Sequence, residues 1–381
     1  MSRIKKFGFL FFVIILFSCS ENPTESIPFP PIPADLDDGW EVSSLSAVGM
    51  NPERMTWLSR GINNGDYGNI HSVLVVRHGK LVFEEYYGTY HVNQRHALAS
   101  VTKSVVSILI GIAVDQGYIK SIDDPVEDYF PEYEEIFTED TLKKAITIRH
   151  LLSMSSGLEW DEWSYSYNDY RNSHFQMQRS SDWLKFVLEL PLIREPGTVF
   201  TYNSGGSMLL GGIIKNACEI YADTWANNVL FEPLGIETYQ WDKNFDGLPN
   251  TGGGLNLRPR DLAKIGYVVL NKGKWGDEQL VSESWINIST GKSINVWPGV
   301  NYGFQWWLRE LPESEGFTSS DNEIIHGLGY AGQFLFIIPR MDMVVVAHSW
   351  NLNEFENAPV SFLYSFILPA VDESTIMAKE N

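Results

Sequence analysis

Between Lys103 and Asp115 the chain runs Ser104-Val105-Val106-Ser107-Ile108-Leu109-Ile110-Gly111-Ile112-Ala113-Val114 without a single charged side chain. A helix that is apolar nearly all round has to be enclosed by the rest of a domain, so this stretch predicts a central helix onto which other elements pack. Ser100 stands at its mouth, and Lys103 lies one turn further on, on the same face. At that spacing an amine reaches the serine hydroxyl and can accept its proton. A serine at a helix N-terminus also sits among free backbone N–H groups at the positive end of the helix dipole. Developing negative charge is stabilised there, as the oxyanion of acyl transfer requires.

The serine–lysine spacing by itself is weak. It recurs at Ser2/Lys5, in a targeting segment, and at Ser289/Lys292, where Gly291, Asn295 and Pro298 predict a loop. Only around Ser100 does the context add to it.

The ends of the chain set its surroundings. Arg3, Lys5 and Lys6 precede the uncharged apolar stretch Phe7 to Phe17, which is shorter than the roughly 20 residues of a bilayer span. Its ending, Leu16-Phe17-Ser18-Cys19, resembles a bacterial lipobox. Residues 1–18 are therefore expected to be a lipoprotein signal peptide, with Cys19 as the lipidated first residue of the mature chain. Residues 19–36, rich in Pro, Ser and Glu, read as a flexible tether. The expected location is the bacterial cell envelope, lipid-anchored and facing the periplasm or cell surface.

Residues 37–372 are long enough for one large domain or two intimately packed ones. Apolar residues make up 44% of the chain and aromatics 13%, enough for a real core. With Cys19 acylated, Cys218 has no partner, so a disulfide framework is excluded and Cys218 reads as a small buried hydrophobe. The net charge of −20 argues against nucleic acid as a partner, because phosphate binding needs a basic face. The acid-rich stretch Asp123 to Asp140 reads as solvated surface. The eight histidines form no dense Cys/His cluster or HExxH pattern, so neither a metal nor another cofactor is expected.

His71 to Gly88, on both sides of Arg77-His78-Gly79-Lys80, predicts a hairpin, with a helix over 49–64 before it. Gln333–Ile338 and Met343–His348 predict a second hairpin, followed by a helix from about Asn357 to Leu368. Between them lie helical patterns at 101–117, 147–154, 181–190, 205–220, 223–230 and 259–271. The fold class expected is α+β: an antiparallel sheet formed by the N- and C-terminal segments, about 45–100 and 300–370, flanked by helices. A large, mainly helical region, about 101–299, is inserted between them.

Phe200-Thr201-Tyr202-Asn203-Ser204-Gly205-Gly206 opens another helical run. Its tyrosine can face the first turn of the Ser100 helix and share a proton with Lys103, whose charged form burial disfavours. Here the chain resembles the serine β-lactamase-like superfamily: class C β-lactamases, DD-peptidases, and their esterase and 6-aminohexanoate-oligomer hydrolase relatives. The resemblance covers nearly the whole mature chain. Ile146 to Leu152 with Ser156-Gly157-Leu158, then Glu195-Pro196-Gly197, Glu232-Pro233-Leu234-Gly235 and Gly253-Gly254-Leu255 with Arg260-Asp261-Leu262 follow in the family's order. The resemblance implies a β-lactamase/transpeptidase-like fold, with Ser100 as nucleophile and Lys103 and Tyr202 as proton carriers.

The chain departs from that pattern twice. The second motif ends in Ser204 where the family's Tyr-x-Asn has an asparagine. The third motif, normally Lys-Thr-Gly or His-x-Gly, reads Gly327-Leu328-Gly329 in one register; in the other His326 is the motif residue. Either way the cation that would hold a penicillin or peptide carboxylate is missing or displaced. The glycines let a strand approach closely and present an N–H, that of Tyr330, opposite that of Ser100.

The expected substrate contacts are Ser204, His326, Gly329, Trp160 and Asp169. Trp160, Trp163, Tyr165, Tyr167 and Tyr170 form one aromatic cluster, and Tyr302, Trp306 and Trp307 another. Such walls suit an apolar or amide-bearing small molecule or short peptide. The expectation is a serine hydrolase of esters or amides working through an acyl-enzyme on Ser100. The alternatives are a β-lactamase or DD-peptidase and, in another class, a non-catalytic ligand-binding lipoprotein.

Overall fold

A computed structural model describes residues 30–310, 323–352 and 356–372. The signal segment, Cys19 and the first part of the tether lie outside the described residues.

Nine strands form the main sheet, in the spatial order Glu41–Val42, Lys80–Tyr86, Ile70–Arg77, Met343–Ser349, Gln333–Ile338, Glu323–Gly329, Trp307–Glu310, Val300–Tyr302 and Ile294–Trp297. All neighbours are antiparallel except Glu41–Val42 against Lys80–Tyr86. Both expected hairpins are present. The first closes at His78 and Gly79, which have φ of 53° and 74°, the left-handed pair that a tight hairpin turn requires. The two hairpins meet edge to edge, Val76 opposite Val344 and Leu74 opposite Val346, so the beginning and end of the domain share one sheet.

The sheet is covered on both faces, so Ile70–Arg77 is buried along its whole length rather than alternately. One face packs Val73, Val75, Phe334, Phe336 and Val345 against the helix Pro52–Asn63 and the C-terminal helix. The opposite face packs Leu74, Val76, Leu335, Ile337 and Val344 with the helix Pro259–Leu270 and the helix Val101–Asp115. Close approach is made by glycine: a Cβ on Gly266 would stand 2.7 Å from Leu335 and Val344.

Val101–Asp115 is the enclosed helix that its composition requires, with every residue from Val101 to Ala113 buried. Ser204–Cys218 and Trp285, from the helix Glu283–Ser289, pack around it.

Several short elements depart from the expectation. Helices at Glu134–Glu139, Ser173–Arg179 and Glu283–Ser289 were not anticipated. Neither were the three short strands between Ile294 and Glu310 that carry the sheet past the expected glycine strand, Glu323–Gly329. The C-terminal helix is not one run but an α-turn, a π-turn and a 3-10 turn, Ala358–Phe362, Leu363–Ile367 and Leu368–Ala370. Ser289 closes a helix instead of lying in a loop, and Lys292 falls beyond that helix's end, so the two never share a helical face.

Candidate active site

Ala99 has φ of 46°, a left-handed conformation that costs a residue with a Cβ roughly 1 kcal/mol or more. The turn it makes delivers Ser100 to the N-terminus of the enclosed helix. There Lys103 Nζ donates to Ser100 Oγ at 2.8 Å and to the carbonyl of Gly252 at 2.5 Å. The Nζ also lies 4.9 Å from the centre of the Tyr202 ring. The Tyr202 hydroxyl lies near enough to the Ser100 side chain for that side chain to favour the phenol's ionised form. Ser100, Lys103 and Tyr202, separated by as much as a hundred residues in the chain, thus come together at one place.

Their electrostatics assign different tasks. Burial pulls the Lys103 amine down to about 8, against the opposing charge of Glu162. About a tenth of the amine is therefore already neutral at pH 7, and able to accept a proton. Burial, and then the charge of Glu162, push the Tyr202 phenol well above its usual range. It stays protonated and can pass a proton on, but it is not the resting base.

The glycine strand Glu323–Gly329 runs beside this turn. A Cβ on Gly327 would stand 3.0 Å from Ser104 Oγ and Val101, and one on Gly329 only 2.4 Å from the carbonyl of Leu98. Gly327 and Gly329 therefore face the helix that begins at Ser100, and the strand can lie against it only because both side chains are absent. His326 alternates to the other face. It is 1% exposed, stacked between Trp307 and the Phe334/Phe336 pair, and lines neither cavity beside Ser100. Burial and the charge of Arg309 hold its ring down to about 3, so it carries no charge near neutral pH. Of the two candidates for the motif position, Gly327 is thus the one facing the helix of Ser100, and His326 the one turned away from it.

Two cavities meet at Ser100. The larger, about 530 Å³, is walled by Trp163, Tyr165, Tyr202, Trp307, Leu328 and Tyr330. Trp163 stacks on Tyr202 with centroids 5.3 Å apart, and Trp307 on Tyr202 at 5.8 Å. The smaller, about 340 Å³, is more polar, with Asn168, His174, Gln178, Ser204, Asp242 and Asn250 in its wall. Tyr167 and Tyr330 meet edge to face at 5.3 Å and border both.

The remaining expected contacts divide. Gly329 and Tyr330 line the aromatic cavity and Ser204 the polar one. Trp160 is a core residue, packed across Gly205 rather than facing a cavity. Asp169 is engaged by the Arg171 guanidinium through two hydrogen bonds of 3.0 and 2.7 Å and by its backbone N–H at 2.9 Å, and lines neither cavity. Of the aromatics, Trp306 is buried in the core and Tyr170 points to solvent.

The reading from residues alone missed Glu162 and Gly252. Glu162 lies 2% exposed in the wall of the aromatic cavity. It accepts from Trp160 Nε1 at 2.5 Å, from the backbone N and Oγ of Ser204 at 2.8 Å each, and from the Tyr167 hydroxyl at 3.1 Å. The only hint in the chain was a carboxylate inside an aromatic-rich loop. Among the described residues no group of His, Cys, Asp and Glu is placed to hold a metal ion, and no helix is long and apolar enough to cross a membrane.

Comparison with known proteins places the chain among relatives of the same fold. The chain is 25% identical over 304 residues to the 6-aminohexanoate-dimer hydrolase of Paenarthrobacter ureafaciens, covering 73% of this chain and 72% of that protein. Its fold is shared with EstCE1, a hydrolase with promiscuous acyltransferase activity, at a TM-score of 0.68 and 18% identity over 82% of this chain and 97% of that one. It is shared too with a penicillin binding protein from Bacillus halodurans, at a TM-score of 0.63 and 17% identity over 79% and 98% of the two chains. The beta-lactamase family model matches residues 71–359, and the chain, with its Ser100, Lys103 and Tyr202 brought to one point, belongs to that family of β-lactamase/transpeptidase-like serine hydrolases.

Proposed function

We propose that the protein hydrolyses an ester or amide of a small molecule or short peptide through an acyl-enzyme on Ser100, without a cofactor. The observation that carries this reading is the 2.8 Å contact between the buried Lys103 amine and Ser100 Oγ, with the amine's affinity for protons already lowered. The neutral amine takes the hydroxyl proton as Oγ attacks the carbonyl carbon. The tetrahedral oxyanion is received by the backbone N–H groups of Ser100 and Tyr330. The proton then passes from Lys103, by way of the Tyr202 hydroxyl, to the departing alkoxide or amine. Water enters and gives a proton to Lys103 as its oxygen attacks the acyl carbon; the proton then passes to the departing Oγ, which releases the acid and restores the serine hydroxyl and the neutral amine.

The aromatic cavity favours an apolar or amide-bearing acyl group. Glycine at position 327 leaves no side chain there to grip a carboxylate, which disfavours β-lactams and cell-wall peptides. The expected anchor is a lipid on Cys19, tethering the domain at a membrane surface; loss of palmitate incorporation in Cys19→Ala is its test.

A fluorophosphonate probe is expected to modify the peptide containing Ser100, and Ser100→Ala to abolish labelling. Unchanged labelling in that variant would overturn the assignment. Across p-nitrophenyl esters, short amides and nitrocefin, turnover of the esters or amides is expected to exceed that of nitrocefin; the reverse order would favour a β-lactamase.

A further inference from the structure

Glu162 is buried beside the nucleophile, and all its donors are neutral: an indole N–H, a backbone N–H and two hydroxyls. The backbone donor is that of Ser204, the first residue of the helix Ser204–Cys218, so the carboxylate sits where a helix dipole favours negative charge. These bonds hold the group in place and leave its charge uncancelled by any of them. That charge is felt by Lys103, Tyr202, Tyr167, Tyr302 and His174. Tyr167 also feels Glu356, and His174 feels Lys103. On Lys103 the effect of Glu162 opposes that of burial. A fully buried lysine without such compensation drops to about 5–6, where it is a poor base for a serine hydroxyl.

We propose that Glu162 is a positioning residue of the active site, whose charge sets when the Lys103 amine is free to take the Ser100 proton and whose oxygens hold Tyr167 and Ser204 in the two cavity walls. The inference rests on the reading of Ser100 as the nucleophile.

Glu162→Gln isolates the charge. The glutamine oxygen can take the place that accepts from Ser204 N and Trp160 Nε1. Its NH₂ then faces the two hydroxyls, of Ser204 and Tyr167, which can turn round to accept. The geometry survives while the charge goes.

The test is the rate at which a fluorophosphonate labels Ser100, measured across about pH 5.5 to 10 in the wild type, Glu162→Gln, Glu162→Asp and Tyr167→Phe, each first checked for cooperative thermal unfolding. The wild-type rate is expected to rise with pH through a midpoint near 8. Loss of the negative charge lowers the amine's proton affinity, so in Glu162→Gln the midpoint moves to lower pH by on the order of one unit. Glu162→Asp restores the wild-type midpoint, and Tyr167→Phe, which removes one donor but no charge, leaves it in place.

A wild-type midpoint in Glu162→Gln, whatever its plateau rate, overturns the inference, as does an equal shift in Tyr167→Phe. Should Glu162→Gln not fold, the wild-type profile still decides, because a midpoint at or below about 6 means that the charge does not act on the amine. Labelling that survives Ser100→Ala overturns the catalytic reading itself. Labelling lost in Ser100→Ala, with the Glu162→Gln midpoint unmoved, defeats only the role of Glu162.

Discussion

Lys103 and Tyr202 stand beside the same serine, and burial moves them in opposite directions with respect to proton transfer: it frees the amine and locks the phenol. Gly329 is the third residue on which the site depends. A methyl group there would stand 2.4 Å from the carbonyl of Leu98 and 3.2 Å from the Cβ of Ala99, so the clash is largely with backbone and cannot be relieved by a rotamer change. Gly329→Ala is expected to push the strand and Tyr330 away from Ser100 and slow probe labelling on the order of a hundredfold, with cooperative unfolding retained. A labelling rate within twofold of wild type would mean that the strand's closeness is not needed. Ser100 and Lys103 were legible in the chain because their relation is one of spacing along a helix. Glu162 was not, since its four donors come from positions 160, 167 and 204 and nothing local marks a carboxylate whose partners are assembled by folding.

At the scale of the element, the nucleophile helix shows how tightly its neighbours constrain it. A Cβ on Gly111 would lie 2.3 Å from the indole ring of Trp285, a buried side chain with little room to turn. Alanine would gain about 0.5–1 kcal/mol of helix propensity, while overpacking costs about 1–3 kcal/mol, so the clash is expected to win. Gly111→Ala should lower the urea midpoint by an amount equivalent to about 1–2 kcal/mol; a raised midpoint would show that Trp285 moves aside freely. Helices with a long apolar period were legible, as at Pro259–Leu270 and Ser204–Cys218. The short strands from Ile294 to Glu310 were not. They are three- to four-residue pairings in an aromatic-rich stretch, and their partners rather than their own pattern make them strands.

Across the whole molecule, the seam between the first and last hairpins is the joint that closes the domain. Three buried histidines gather beside it. His71 Nδ1 and His96 Nε2 are 2.7 Å apart, and His96 stacks on His348 at 4.5 Å. Burial lowers all three, His71 to about 4, with the neighbouring rings adding to the effect at His71 and His348. In the unfolded chain each would protonate near 6.5, so as pH falls below that value the unfolded state binds protons that the folded state refuses. Stability is therefore expected to be undiminished above about pH 6.5 and to decline towards pH 4. Urea midpoints at several pH values check this, and His348→Asn should flatten the decline. A midpoint independent of pH across that window would show that the cluster takes up protons without opening the seam.

The amino-acid sequence alone determined the buried helix, the serine and lysine at its mouth, the tyrosine ahead of a second helix, the two terminal hairpins and the glycines of the third motif. Each of these is written in short-range spacing or in residue type. Tertiary structure alone decided that Gly327 and not His326 faces the nucleophile helix, because strand alternation assigns a face only once the register is set. It decided that Trp160 and Asp169 stand away from the cavities, and that Glu162 and the carbonyl of Gly252 complete the surroundings of Lys103. Burial and cross-chain hydrogen bonds are properties of the packed molecule, and no local pattern carries them.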